Sequence, residues 1–227
     1  MTKRIGLLGG ISAASTSAYY DRMIAGYYER HHDYYYPEIV IFSLNFQRFT
    51  DLEDSGDQAA YVEEIMSGVA ALEGAGADFI LMAANSPHAV FGNVAARAAV
   101  PMLSIVEVTA DAAQRSGLGR LLLLGIRFTM QSTFYQDACA RRGIDVTVPT
   151  EDEQDRINAI IFDELARGII KEDSRNELLD IINDCDVDGV ILGCTELPLL
   201  LDQWHASVTL LDTMELHVQA ALDLALG

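Results

Sequence analysis

The sequence predicts an α/β protein made of two similar halves, each a mainly parallel sheet flanked by helices. Two observations carry this. Short apolar runs bounded by Gly, Asp and Pro alternate with stretches of helical periodicity, the pattern of parallel strands joined by right-handed crossovers. In addition, one strand-and-turn unit occurs twice. Asp78-Phe79-Ile80-Leu81-Met82-Ala83-Ala84-Asn85-Ser86-Pro87 is an acid, an apolar run and a turn of small polar residues closed by proline, and Asp188-Gly189-Val190-Ile191-Leu192-Gly193-Cys194-Thr195-Glu196-Leu197-Pro198 follows the same plan. Ala84 and Cys194 hold the same place after the acid. A chain that duplicates a strand and its turn builds one site between two similar halves, and here one half offers a thiol and the other a methyl group.

Taken in order, the apolar runs at 4–9, 38–44, 78–83, 102–105, 120–125, 145–148, 187–193 and 208–212 read as strands, too short for core helices. Helices are expected over 14–29, after the first strand and its small-residue turn, and over 58–75, where Ile65, Val69 and Leu72 share a face. A further helix is expected over 151–167, where Ile157, Ile160, Ile161 and Leu165 do the same. Phe134 to Arg142 is helix-like. The runs ending in Gly9-Gly10-Ile11-Ser12 and Gly125-Ile126-Arg127-Phe128-Thr129 form a second duplicated pair, each passing from a strand through glycine to a hydroxyl. Each half therefore supplies two loops at the carboxyl ends of its strands, where open α/β sheets bind ligands. The boundary is expected at 98–101, with 1–98 plus 208–227 forming one lobe and 99–207 the other.

Composition narrows the function. With 34 acidic against 15 basic residues and a formal charge of −19, the chain would repel a phosphate backbone, which argues against nucleic acid as a partner. No run approaches the ~20 apolar residues of a membrane span. The apolar stretch after Lys3 and Arg4 is too short and too glycine-rich for a secretion signal. Three cysteines without paired spacing suit neither a disulfide framework nor a zinc site, and a reducing cytoplasm is the expected location. Gly9-Gly10 lacks the spacing of a dinucleotide loop, and Lys171 lacks the glycine-rich phosphate cup of a pyridoxal site, so no cofactor is expected. His31-His32-Asp33 reads as a solvated loop rather than a metal site, since adjacent histidines point apart.

Among the cysteines, Cys139 lies within a helical stretch and Cys185 among acids before a strand, so both read as structural. Cys194 ends a strand and enters a turn, where unpaired N–H groups and a helix dipole are expected to stabilise a thiolate. Pro87 places His88 in a first helical turn, where it can line the site or pack against the fold.

These motifs resemble those of the aspartate/glutamate racemase superfamily. Gly6-Leu7-Leu8-Gly9-Gly10-Ile11-Ser12 resembles its opening loop, Ala84-Asn85-Ser86-Pro87-His88 its first cysteine motif, and Gly193-Cys194-Thr195-Glu196 its second. Segments 149–154 and 168–171 resemble parts of aspartate racemases. The resemblance implies two lobes related by pseudo-twofold symmetry and an amino-acid racemase or epimerase that works without pyridoxal phosphate. Aspartate, glutamate or a related amino acid or dicarboxylate is the implied substrate, and a homodimer the implied assembly. It makes Cys194 the acid/base and places Gly10, Ser12, Arg48, Asn85, Ser86, Thr129, Lys171, Thr195 and Glu196 around the substrate. Ala84 stands where the partner cysteine belongs, so the symmetric two-thiol mechanism does not carry over. Two alternatives follow: a one-cysteine decarboxylase or isomerase of the same superfamily, or a binding protein that keeps the site without turnover.

Overall fold

The structure, a computed structural model, describes residues Thr2–Gly227. Among the described residues, eight strands form two separate four-stranded parallel sheets. The first comprises β1 (Ile5–Gly9), β2 (Ile39–Ser43), β3 (Phe79–Met82) and β4 (Met102–Leu103) in the order β2-β1-β3-β4. The second comprises β5 (Arg120–Leu124), β6 (Asp145–Thr147), β7 (Gly189–Leu192) and β8 (Thr209–Asp212) in the order β6-β5-β7-β8. The orders are the same, so the duplication seen in the loops extends to whole sheets. All eight expected strands are present.

The helices are α1 (Ala13–His31), α2 (Phe46–Ser55), α3 (Gln58–Gly74), α4 (Phe91–Ala95), α5 (Ile105–Arg115), α6 (Arg127–Gln131), α7 (Phe134–Ala140), α8 (Glu151–Ala159), α9 (Glu172–Asn183) and α10 (Thr213–Leu226). The helix expected over 151–167 is α only as far as Ala159. It continues as a π-helical turn, Ile160–Glu164, and a 3₁₀ turn, Leu165–Arg167, before Gly168 ends it in the left-handed region at φ 72°. Its start is fixed by a capping box, with the Thr150 N–H donating to Glu153 at 2.8 Å.

Each sheet has its own core. In the first, Leu8, Ile80 and Met82 pack with Ile65, Val69 and Leu72, the expected face of α3. In the second, Leu122, Leu124, Val190 and Leu192 pack with Ile157, Ile160 and Leu178. Burying a side chain of this size stabilises by roughly 1.5–3 kcal/mol, so each sheet carries a substantial core of its own.

The expected domain boundaries need correction at both ends. The chain divides into one unit running to Ile105 and resuming at His217–Gly227, and a second from Val106 to Leu216. Residues 102–103 pair with β3, which keeps β4 in the first unit. Residues 208–212, expected with the first lobe, instead form β8 beside β7. Only α10 from His217 onward joins the first unit, where the His217 ring bonds Tyr19 at 2.9 Å and the Leu103 carbonyl at 3.1 Å. The reason is hydrogen bonding: 208–212 completes the ladder on the exposed side of β7, and an apolar pattern cannot reveal which sheet has that vacant edge.

Candidate active site

In both sheets the strand order reverses beside the central pair, β1/β3 and β5/β7. The crevice at such a switch point lies beyond the carboxyl ends of those strands. The four loops singled out by duplication leave from these four strand ends. The repeated acid proves structural. Asp78 accepts the Arg4 N–H at 2.6 Å, and Asp188 accepts the Gly119 and Arg120 N–H groups at 3.1 and 2.9 Å, so each ties the start of one central strand to the other. At the far end the match continues, with the Ala83 N–H donating to the Leu8 carbonyl at 2.8 Å and the Gly193 N–H to that of Leu124 at 2.7 Å.

In the second unit, Cys194 follows β7 and is 9% exposed. Its thiol donates to a Glu196 carboxylate oxygen at 3.0 Å, and the Thr195 hydroxyl donates to the same oxygen at 2.7 Å. The sequence led to the expectation of a stabilised thiolate, and the structure corrects it. The backbone N–H groups of Thr195 and Glu196 do favour the thiolate, but burial foremost, and then the Glu196 charge, push the thiol well above its ordinary range. The turn that follows, Leu197–Leu199, is a three-residue 3₁₀ turn and supplies little dipole. The resting pair is therefore a thiol facing a carboxylate, with the proton on sulfur.

Thr129, in α6 after β5, is 1% exposed, and its hydroxyl has no hydrogen-bond partner. Its methyl group lies against Gly125 and Gly193, where a Cβ on Gly193 would come within 3.4 Å of it. Leaving a buried hydroxyl unpaired costs about 1–3 kcal/mol, so Thr129 is a group in want of a partner. Lys171 pairs with Glu164 at 3.3 Å and is 54% exposed, while the Ser174 hydroxyl donates to the other Glu164 oxygen at 2.6 Å. These contacts, Ser174 foremost, hold the buried Glu164 carboxyl below its ordinary range. Glu164 and Ser174 form a polar cluster that the sequence reading did not identify. Burial also pushes Cys139 up to about 11 and raises Cys185.

In the first unit, Gly10 takes φ 81°, and its N–H donates to Thr16 at 2.9 Å. A Cβ at Gly10 would collide with the Leu44 backbone, so this turn requires glycine on both counts. Ser12 caps α1, accepting the Ser15 N–H at 3.2 Å. These contacts give both residues a clear part in shaping the loop. Ala84, Asn85 and Ser86 follow β3, and Asn85 and Ser86 are buried. His88 is committed to the fold: one ring nitrogen donates to the Ala84 carbonyl at 3.0 Å and the other accepts the Ile105 N–H at 3.2 Å. Burial, with nearby His217, drops it to about 3, so the ring is neutral. The open question about His88 thus resolves toward a brace for the Ala84 loop.

Arg48 pairs through Nε with the buried Glu64 at 2.8 Å and remains 70% exposed. It lines a polar groove of about 650 Å³ whose other walls, including Asp51, Glu63 and Ser67, come from α2 and α3 rather than from the duplicated loops. Glu53 and Tyr61 were not singled out in the sequence, yet the Tyr61 hydroxyl donates to Glu53 at 2.7 Å, with Ser86 close to both. Burial raises the Glu53 carboxyl above its ordinary range despite these hydroxyls. No local pattern could have found this cluster, because Ser86 lies far along the chain from its partners.

A family model described as Asp/Glu/Hydantoin racemase matches residues 8–221. Among solved structures, an Asp/Glu racemase candidate from Yersinia pestis superposes with a TM-score of 0.92 at 33% identity, covering 99% of this chain and 100% of that one. An aspartate racemase homologue from Pyrococcus horikoshii OT3 gives 0.90 at 37% identity with the same coverage. In sequence, a glutamate racemase from a Shewanella species is 26% identical over 82% of this chain and 67% of its own length.

Proposed function

Because this chain belongs to the Asp/Glu/Hydantoin racemase family, we propose that it is a cofactor-independent amino-acid racemase or epimerase acting on aspartate, glutamate or a close relative, with Cys194 as its acid/base. The observation that carries this is the Cys194–Glu196 contact at 3.0 Å, in the loop that the family match spans. A buried thiol is a poor base until its proton has somewhere to go, and Glu196 is the acceptor within reach. In one direction the thiol passes its proton to Glu196, and the thiolate so formed takes the proton from the substrate α-carbon. In the other, the Cys194 thiol gives its proton to the carbanion. Thr129 supplies the donor for the charge that develops on the substrate carboxylate, which gives its buried hydroxyl the partner it lacks. Lys171 reaches a substrate side-chain carboxylate only by exchanging Glu164 for it.

Nuclear magnetic resonance in heavy water tests this reading. Loss of the α-proton signal from aspartate or glutamate with the unmodified protein, and its persistence with Cys194→Ala, is the expected result. Equal exchange by both proteins removes Cys194 from the chemistry.

A second reading has its own support. Ala84 carries no proton and the Cys194 thiol rests protonated. A one-cysteine decarboxylase or isomerase needs that arrangement, a single thiol donating to one face of a carbanion formed by loss of a carboxylate. Carbon dioxide release from disubstituted malonates without α-proton exchange from amino acids would favour it.

A further inference from the structure

Tyr20, Ile24 and Tyr28 recur at four-residue steps along α1 and so form one stripe on its surface. Beyond the helix, His31-His32-Asp33 leads into Tyr34-Tyr35-Tyr36, and this run folds back against the stripe. His32 ends the helix in the left-handed region at φ 56°, its N–H donating to the Tyr28 carbonyl at 2.8 Å. Asp33 then accepts the Tyr27 hydroxyl at 2.8 Å and the Tyr35 N–H at 2.9 Å, which pins the start of the run to α1. Tyr34 stacks on Tyr28 with ring centres 5.4 Å apart, and Tyr36 meets Tyr27 edge-on at 6.3 Å. These rings are held in place yet remain in water, Tyr34 being 77% and Tyr28 44% exposed.

Tyr20, Tyr28, Tyr34 and Tyr36, with Ile24, wall a cavity of about 370 Å³, within the range of small-molecule sites. Asp21 is the one charged group among the described residues that line it, and none of the four duplicated loops contributes to its walls. Tyrosine rings offer apolar contact and an electron-rich π face, and a carboxylate beside them adds a full negative charge, so a cation is attracted and an anion repelled. A metal ion or plain ammonium gives up hydration to walls that cannot replace it. Alkyl groups on the nitrogen keep the charge and gain from the apolar contact. The formal charge of −19 further raises the local concentration of cations. We propose that this cavity binds a small organic cation whose nitrogen carries alkyl groups, a ligand site built from other residues than those around Cys194.

Choline and 3,3-dimethyl-1-butanol share a shape and differ in charge, so the pair separates the cation from the apolar contact. Proton NMR titration of each should show the unmodified protein binding choline about tenfold more tightly, the scale of one cation–π contact and one exposed ion pair together. Physiological salt during the titration screens the diffuse charge of the surface. Tyr28→Leu keeps apolar bulk and net charge and should cut the preference about fivefold, and Asp21→Asn about threefold. Tyr34→Leu, in the exposed run, should match Tyr28→Leu and carries the test if that variant fails to fold.

A preference below twofold in the unmodified protein overturns the proposal, as does one that neither a tyrosine variant nor Asp21→Asn reduces. Binding of neither compound at tens of millimolar does the same. Light scattering that shows a dimer which Tyr28→Leu dissociates gives the cavity to a second copy of the chain, and sedimentation with phosphatidylcholine vesicles without binding of free choline gives it to a lipid headgroup; either result also overturns it. The readout involves no amino acid, so its outcome is independent of the reading under Proposed function.

Discussion

The loops after β3 and β7 are the same construction carrying different chemistry. Each begins at an aspartate that accepts backbone N–H groups from the start of the neighbouring strand, and each continues through an N–H donated to that strand's last residues. Beyond that point they diverge. The first places Ala84, a methyl group, where the second has Cys194, and it is braced by His88, whose ring ties the Ala84 carbonyl to the Ile105 N–H. In the second, side chains bond one another, with Cys194 and Thr195 both donating to Glu196. The first loop is thus held by the fold, while the second brings a thiol and a hydroxyl within hydrogen-bond distance of one carboxylate. Duplication supplies the scaffold twice, and at the matching place the second copy carries a thiol where the first carries a methyl group.

The sharpest way to break this contrast is to make the tips alike. Cys194→Ala leaves a methyl group at both and should reduce α-proton exchange by about a thousandfold or more, since no other group in that loop is a comparable base. Cys139→Ala and Cys185→Ala should stay within a few-fold, and a comparable loss in either would point to general destabilisation.

Next in size is Glu196→Gln, which keeps the shape and removes the proton acceptor. Exchange should fall by about a hundredfold, within the range for a positioned acid or base. At the same time the thiol loses a neighbouring negative charge, so its titration should move toward neutral pH, seen as faster alkylation of Cys194 by iodoacetamide at pH 8. Slower exchange without faster alkylation would mean that Glu196 acts on the substrate and not on the thiol.

Acid should affect the first loop before the second. His88 and His217 drop to about 3 and about 4 from the usual 6.5 because burial disfavours the charged ring. Between those values the unfolded chain binds more protons than the folded one, so stability is full above pH 6.5 and falls as pH drops through it. By pH 5 the loss should be roughly 2 kcal/mol for each ring. Urea unfolding at pH 7.5 and 5.0 measures the total. Amide exchange should show protection near residues 84–105 weakening first, and uniform weakening across both loops would contradict the brace.

The smallest effect is expected from making the tips alike in the other direction. Ala84→Cys restores a thiol to the first copy and should raise racemisation relative to α-proton exchange by about tenfold, read by polarimetry alongside the heavy-water signal. An unchanged ratio would show that a thiol at position 84 does not serve the same carbon.

Much of this architecture was legible along the chain, for reasons that particular residues make plain. Strands such as Leu121–Leu124 are buried on both faces and so appear as unbroken apolar runs, and Ile65, Val69 and Leu72 mark α3 because a helix buries one stripe. The candidate thiol was legible because its strand, acid and proline recur around Ala84. All of these are local signals, spaced by the geometry of a single strand or helix. Tertiary structure decided what depends on residues far apart. Strand β8 went to the second sheet because β7 had an edge to fill, Lys171 and Arg48 were claimed by the buried Glu164 and Glu64, and Tyr61 was joined to Glu53 across two helices. Even the protonation of Cys194, two residues from Glu196, was settled by the fold. The sequence supplies the neighbouring carboxylate, but only burial removes the water that would otherwise stabilise a thiolate.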